Sequence, residues 1–257
     1  MHIGLFDSGV GGLTVLKELV KEFPKAKFTY LGDTARLPYG NKAPETLEKY
    51  SLENMEFLAS KKVDAIVVAC HSASSVCLEM NLFKKIPVFN VISPSCKEAL
   101  ETSKSKKIGV MATKATIRSQ VYPSYINQLD PSAQVIGQEC PLLVPLVEEE
   151  LSDDEITEII LKRYLKPLQA GSVDTILLGC THYPILKDSI SSLCPDITLI
   201  DPARSVALKL RELFDDSKDE ESPMDIFLTD HSPHFITHAQ SIFCLLYTSP
   251  SPRDGLL

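Results

Sequence analysis

The sequence predicts an α/β protein of two similar domains, each a parallel sheet flanked by helices, related by pseudo-twofold symmetry, with the active site in the cleft between them. Three observations predict it. Apolar, β-branched runs alternate with helical stretches along the chain, the pattern of parallel sheets covered on both faces. The octets VDAIVVAC at 63–70 and VDTILLGC at 173–180 repeat one such run, and each ends at a cysteine. Two further pairs keep the same order and spacing: IGLFDSG at 3–9 with IGVMATK at 108–114, and YLGDTARLPYG at 30–40 with VIGQECPLLVP at 135–145. One such pair arises by chance in any α/β chain; three collinear pairs indicate a duplicated half.

Taken in order, the apolar runs predict strands at 2–6, 27–31, 64–69, 87–91, 107–111, 133–136, 174–178 and 197–200. Between the first strand and its helix lies DSGVGG at 7–12, three glycines in six residues. This is neither GxGxxG nor a Walker A loop, because the lysine and the spacing are missing. Its backbone N–H groups and Ser8 suit an anion at a helix start, with Asp7 left as a carboxylate or a helix cap. Helical patterns run over 45–60, 152–168 and 203–214. Ser152 followed by Glu155 has capping-box spacing ahead of the apolar positions Ile156, Ile159, Ile160 and Tyr164. The repeat divides the chain at 1–95 and 96–205, with 206–243 expected to pack back on the first half. LLYTSPSPRDGLL at 245–257 continues neither pattern; we read 244–257 as a disordered or non-native tail, so that a chain ended at Phe243 keeps its activity and thermal midpoint.

At 257 residues and 44% hydrophobic, the chain is large enough to bury two cores. A net charge of -8 with no basic block excludes nucleic-acid binding as its main function. No run of 18 apolar residues and no signal-peptide core occurs, so a soluble, cytoplasmic protein with no membrane partner is expected. Seven cysteines, an odd number without a CxxC pair, fit neither a disulfide framework nor a zinc site, and no metal is expected. Cys77, Cys96, Cys140, Cys194 and Cys244 read as small buried hydrophobes. Cys70 and Cys180 stand apart because each ends the repeated octet, where α/β folds build their sites.

Two equivalent thiols facing one substrate suit a reaction that removes a proton from one side of a carbon and returns one to the other: racemisation or epimerisation. A thiol with its ordinary pKa of about 8.5 needs a neighbour that favours the thiolate. His71 and Ser72 follow the first cysteine, Thr181 and His182 the second, so His71 and His182 are the candidates.

DSGVGG at 7–12, GDTARLPYG at 32–40, ACHSAS at 69–74, CPLLVPLVE at 140–148 and LGCTHYP at 178–184 together resemble the glutamate racemases of the aspartate/glutamate racemase family, over about residues 2–243. The resemblance implies a cofactor-independent enzyme, without pyridoxal phosphate, that makes D-glutamate for peptidoglycan. It implies that Cys70 and Cys180 are the catalytic thiols, Cys70 assisted by Asp7 and Cys180 by Glu148 and His182. Ser8, Pro38, Tyr39, Gly40, His71, Ser72, Thr113 and Thr181 fall where the family holds the amino acid. The partners implied are glutamate and, in a homodimer, a second copy of the chain. One departure stands out: the family reads Cys-Asn-Thr where this chain has Cys70, His71 and Ser72. An imidazole titrating near about pH 6.5 in place of a neutral amide predicts an altered pH profile or weaker turnover. Aspartate racemase, a two-thiol redox protein and a racemase-fold binding protein are the other readings the sequence leaves open.

Overall fold

The computed structural model describes residues 1–214, 224–230 and, in the stretch that follows, Phe235, Thr237, Ala239, Gln240 and Ile242. The tail assigned to 244–257, and with it Cys244, lies outside the described residues. The strands are β1 (His2–Asp7), β2 (Lys27–Gly32), β3 (Ala65–Val68), β4 (Leu82–Phe83), β5 (Ile86–Asn90), β6 (Lys107–Ala112), β7 (Gln134–Glu139), β8 (Thr175–Gly179), β9 (Thr198–Ile200) and β10 (Met224–Leu228). They form two sheets, ordered β10-β2-β1-β3-β5-β4 and β7-β6-β8-β9. Every pair is parallel except β4 with β5. All eight strands read from the sequence are present. In each sheet the first strand of the repeat is central: Ile3 lies opposite Phe28 and Ala65, and Ile108 opposite Val135 and Thr175.

The repeated Val-Asp that opens each octet has a structural reason. Lys62 and Ser172, the residues just before it, turn the chain with φ of 57° and 53°. The aspartate then ties the new strand to the start of the central one. Asp64 accepts from the His2 N–H at 2.7 Å, and Asp174 accepts from the Ser105 N–H at 2.7 Å. The same local solution is used twice, which is why the sequence repeats there.

Ten helices are described: α1 (Leu13–Glu22), α2 (Pro44–Ser60), α3 (His71–Ser74), α4 (Ile92–Thr102), α5 (Lys114–Arg118), α6 (Val121–Leu129), α7 (Leu143–Glu148), α8 (Glu155–Ala170), α9 (Lys187–Leu193) and α10 (Pro202–Arg211). None is long and apolar enough to cross a membrane, among the described residues. Alternate residues of each strand feed opposite cores. Ile3, Leu5 and Val67 join α1 and α10, while Phe6, Ile66 and Val68 join Leu47, Met55 and Leu58 of α2. In the second sheet Met111, Ile176 and Leu178 pack on α8, and Ile108, Val110 and Leu177 on α4 and α6. Each such side chain, fully buried, is worth about 1.5–3 kcal/mol, so both faces of both sheets are held hydrophobically.

Three local readings are corrected. The N-cap of α8 is Asp154, whose side chain accepts from the Ile156 N–H at 2.8 Å, not Ser152. Its buried stripe is Thr157, Leu161, Tyr164, Leu165 and Leu168, an i, i+4, i+7 pattern that leaves Ile156 and Ile159 exposed. The antiparallel pair β4–β5 has no counterpart in the sequence reading, because its two-residue turn is Lys84-Lys85, at φ 48° and 71°, where Asn-Gly would have signalled it.

The two sheets meet through the loop after β1. The Thr14 hydroxyl is 2.9 Å from the Thr181 carbonyl and 2.8 Å from that of Gly11, both buried. Thr14→Val keeps the shape and removes the donor, leaving the Thr181 carbonyl without it. We expect a loss of about 1–3 kcal/mol in urea unfolding together with reduced turnover; unchanged values of both would show that this contact does not join the halves.

Candidate active site

One cavity of about 230 Å³ lies at the carboxyl ends of β1, β3, β6 and β8, with walls from both sheets. Cys70 and Cys180 both line it, each buried and each a free thiol. Of the other residues singled out from the sequence, Ser8, Pro38, Tyr39, Gly40, His71, Ser72, Thr113, Glu148, Thr181 and His182 also line it. Asp7 stands one layer behind, fully buried.

The surroundings of the thiols are unequal. The Cys180 sulfur lies 3.8 Å from His182 Nδ1, and His182 Nε2 lies 3.1 Å from Glu148 Oε1. Burial opposes a charge on this imidazole, but its hydrogen bonds to Cys180 and Glu148 outweigh that and push its pKa up to about 10. The imidazolium is thus held between the Cys180 sulfur and the Glu148 carboxylate. Among the described residues, Cys70 has only the Ser8 hydroxyl, at 3.8 Å, for a side-chain partner. Burial pushes its thiol well above the ordinary range, and the nearby Asp7 adds to this. Burial likewise raises the Asp7 carboxyl, against the pull of His182 and of hydrogen bonds from Gly9, Gly12 and Thr181.

His71 does not do what its sequence neighbourhood suggested. Both ring nitrogens are buried and, among the described residues, without a hydrogen-bond partner, and burial takes its pKa down to about 3. It is therefore a neutral imidazole at physiological pH, neither a titrating group near 6.5 nor a cation that activates Cys70.

The polar wall is fixed by contacts across the sheets. Ser72 Oγ is 3.1 Å from Thr113 Oγ1, and Thr113 caps α5 by accepting from the Thr116 N–H. Gly40 lies so close to Thr113 that a Cβ there would sit 2.9 Å from the Thr113 Cβ. Tyr39 is held from behind, its hydroxyl donating to Asp33 and accepting from Asn54 Nδ2 at 3.1 Å. Asp33 is buried and also takes Arg36 Nε at 2.7 Å and the Thr229 hydroxyl, just after β10, at 2.9 Å. Loop residues 33–40 are thereby set by a carboxylate outside the cavity.

Sequence reasoning missed Cys140, Val144 and Lys114, which also line the cavity. Cys140 was read as a plain buried hydrophobe because it lies outside the repeated octet; the only signal was its place at the head of CPLLVPLVE. Burial raises its thiol strongly, so it remains neutral.

Two buried thiols, one imidazole–carboxylate pair and a wall that includes the hydroxyl residues Ser8, Ser72, Thr113 and Thr181 make up an acid–base isomerase site. A family profile described as Asp/Glu/Hydantoin racemase matches residues 7–210. The glutamate racemase of Persephonella marina is 47% identical over 236 residues, 91% of this chain and 90% of that protein. Among solved structures, a glutamate racemase isoform of Bacillus anthracis superposes with a TM-score of 0.87 at 36% identity, covering 93% of this chain and 92% of the other. The glutamate racemase of Francisella tularensis in complex with D-glutamate superposes with a TM-score of 0.86 at 33% identity, covering 94% and 93%. The chain belongs to the Asp/Glu/Hydantoin racemase family.

A Cβ at Gly11 would sit 2.5 Å from both His182 Nδ1 and Thr181 Oγ1. Gly11→Ala must therefore displace His182, and we expect turnover to fall about 10²-fold, as misplacement by an ångström costs, with far-ultraviolet circular dichroism unchanged; full activity would mean that the imidazole is not positioned by this contact. For His71, the unfolded chain binds a proton below about pH 6.5 that the folded protein refuses until about pH 3. Stability is thus lost as pH falls through this window, by up to about 1.4 kcal/mol per unit. His71→Asn should flatten urea stability against pH between about 6.5 and 4, while its pH–rate profile above that overlaps the parent's. Equal acid slopes in the two proteins would refute the buried neutral ring.

Proposed function

We propose that the protein interconverts L- and D-glutamate by two-base proton transfer at the α-carbon, without a cofactor, and so supplies D-glutamate for peptidoglycan. The observation that carries this reading is the pair of matched thiols lining one cavity from equivalent strands, β3 and β8. The relatives' names and the F. tularensis complex with D-glutamate support glutamate as the substrate. The two halves are read as domains of 1–95 and 96–205, pseudo-twofold about the cavity, with 206–243 completing the first. The peptidoglycan destination rests on the family resemblance.

In this scheme the α-carbon lies between the two sulfurs. Cys180, with the imidazolium of His182 beside it, starts as thiolate and takes the α-proton of one enantiomer; Cys70, starting as thiol, protonates the opposite face. The reverse direction needs a thiolate on Cys70, whose burial and neighbour Asp7 both oppose it. Binding of the substrate ammonium near Asp7 and Ser8 would relieve that cost by adding a positive charge. Ser72, Thr113 and Thr181 supply donors for the carboxylates, and the hydroxyl and N–H groups that face the α-carboxylate stabilise the charge that develops there. Acid–base assistance contributes roughly 10²- to 10⁴-fold, so positioning and these donors carry the remainder.

Cys70→Ser and Cys180→Ser should each lose racemisation by at least about 10²-fold, followed by circular dichroism from L- and from D-glutamate. In deuterium oxide each variant should still exchange the α-proton of one enantiomer, the opposite one for each. Undiminished racemisation by either variant would sink the two-base scheme, and faster turnover of aspartate than glutamate by the parent would move the substrate.

A further inference from the structure

The catalytic cavity shares a wall with a second, wider groove of about 740 Å³, because Gly40, Asn41 and Lys114 line both. Among the described residues, the charged side chains of that groove are Lys42, Lys114 and Arg118, and no carboxylate lines it. Arg118 is paired with Glu139 at 3.1 Å. Neither Lys42 nor Lys114 has an ion-pair partner among the described residues. Both are half-buried in the groove wall. In a chain of net charge -8, this is a local reversal of sign beside the one place where an anion has to arrive.

Unpaired lysines in a concave wall add little to folding stability. Their field is another matter, since a groove of one sign raises the local concentration of a small ion of the other. We propose that the groove is an anteroom that gathers the anionic substrate, with Lys42 as the outer charge and Lys114 as the inner one on the shared wall. The proposal rests on the glutamate reading, since glutamate carries two carboxylates and one ammonium and is a net anion at neutral pH. Lys42 acts through space on the approach and the bound population. It touches no reacting atom and is a positioning residue.

Charge, not contact, is what the test varies. Lys42→Gln should raise KM for both enantiomers about two- to threefold at low salt, and Lys42→Glu about four- to tenfold, with kcat unchanged. Lys42→Arg, which keeps the charge, should follow the parent. At about 0.5 M KCl, where screening acts within a few ångströms, all four proteins should converge. Equal KM values at low salt, or differences that survive high salt, would overturn the anteroom. Calorimetric binding of glutarate to the same four proteins reads the groove without catalysis. If the parent binds glutarate in this salt-sensitive, charge-ordered way yet racemises no glutamate, the groove stands and the glutamate reading falls; if the parent binds no glutarate, the anteroom falls.

Discussion

The site depends on how closely the loop after β1 approaches the turn after β8. At Gly11 there is no room for a side chain, because His182 and Thr181 occupy the space a Cβ would take. Thr14 then donates to the Thr181 carbonyl, and Thr181 reaches back to Asp7 at 3.4 Å. Gly11, Thr14 and Asp7 thus fix Thr181 and His182, the two residues that follow the second thiol. A cavity assembled from two sheets holds its geometry only if the sheets cannot slide, and this is where they are pinned. The Ser72–Thr113 contact and the close packing of Gly40 on Thr113 repeat the device on the other side of the cavity.

The two sheets present matching strands to the cavity, but not matching electrostatics. The repeat places a thiol after β3 and another after β8, and a histidine within two residues of each. His182 has a carboxylate to hold it charged; His71, among the described residues, meets neither donor nor acceptor, and burial leaves it neutral. The free protein is therefore asymmetric, with one thiol beside an imidazolium and the other beside a buried carboxylate. In the proposed scheme, the charge of the bound substrate is what would bring the two thiols closer to equivalence.

Most of the architecture was legible because parallel sheets buried on both faces write themselves as apolar runs, and here the runs come twice. The octets, the loop at 7–12 and the segment 32–40 pointed to the residues that meet at the cavity, while the order of the strands within each sheet came only from the structure. What escaped was set by contacts distant in sequence. The state of His71 depends on which atoms surround it, and its neighbours in the chain, Cys70 and Ser72, carry no trace of that. Cys140 entered the wall because it directly follows β7, although its own residue type reads as core. Asp154 displaced Ser152 as a cap, a choice between two adequate caps two residues apart that spacing cannot make. Lys84-Lys85 took up a turn that their composition does not advertise.

The hydrogen bond from Thr229 to Asp33 joins the last described strand to the loop that carries Tyr39. During synthesis, the first 200 residues include both thiols, the imidazole and nearly all of the cavity wall. They emerge before β10 can add to β2 or Thr229 can reach Asp33. The nascent chain thus holds its reactive groups long before the loop bearing Tyr39 has its full set of partners, so the order in which the ribosome releases the chain leaves completion of that wall to one of the final steps of folding.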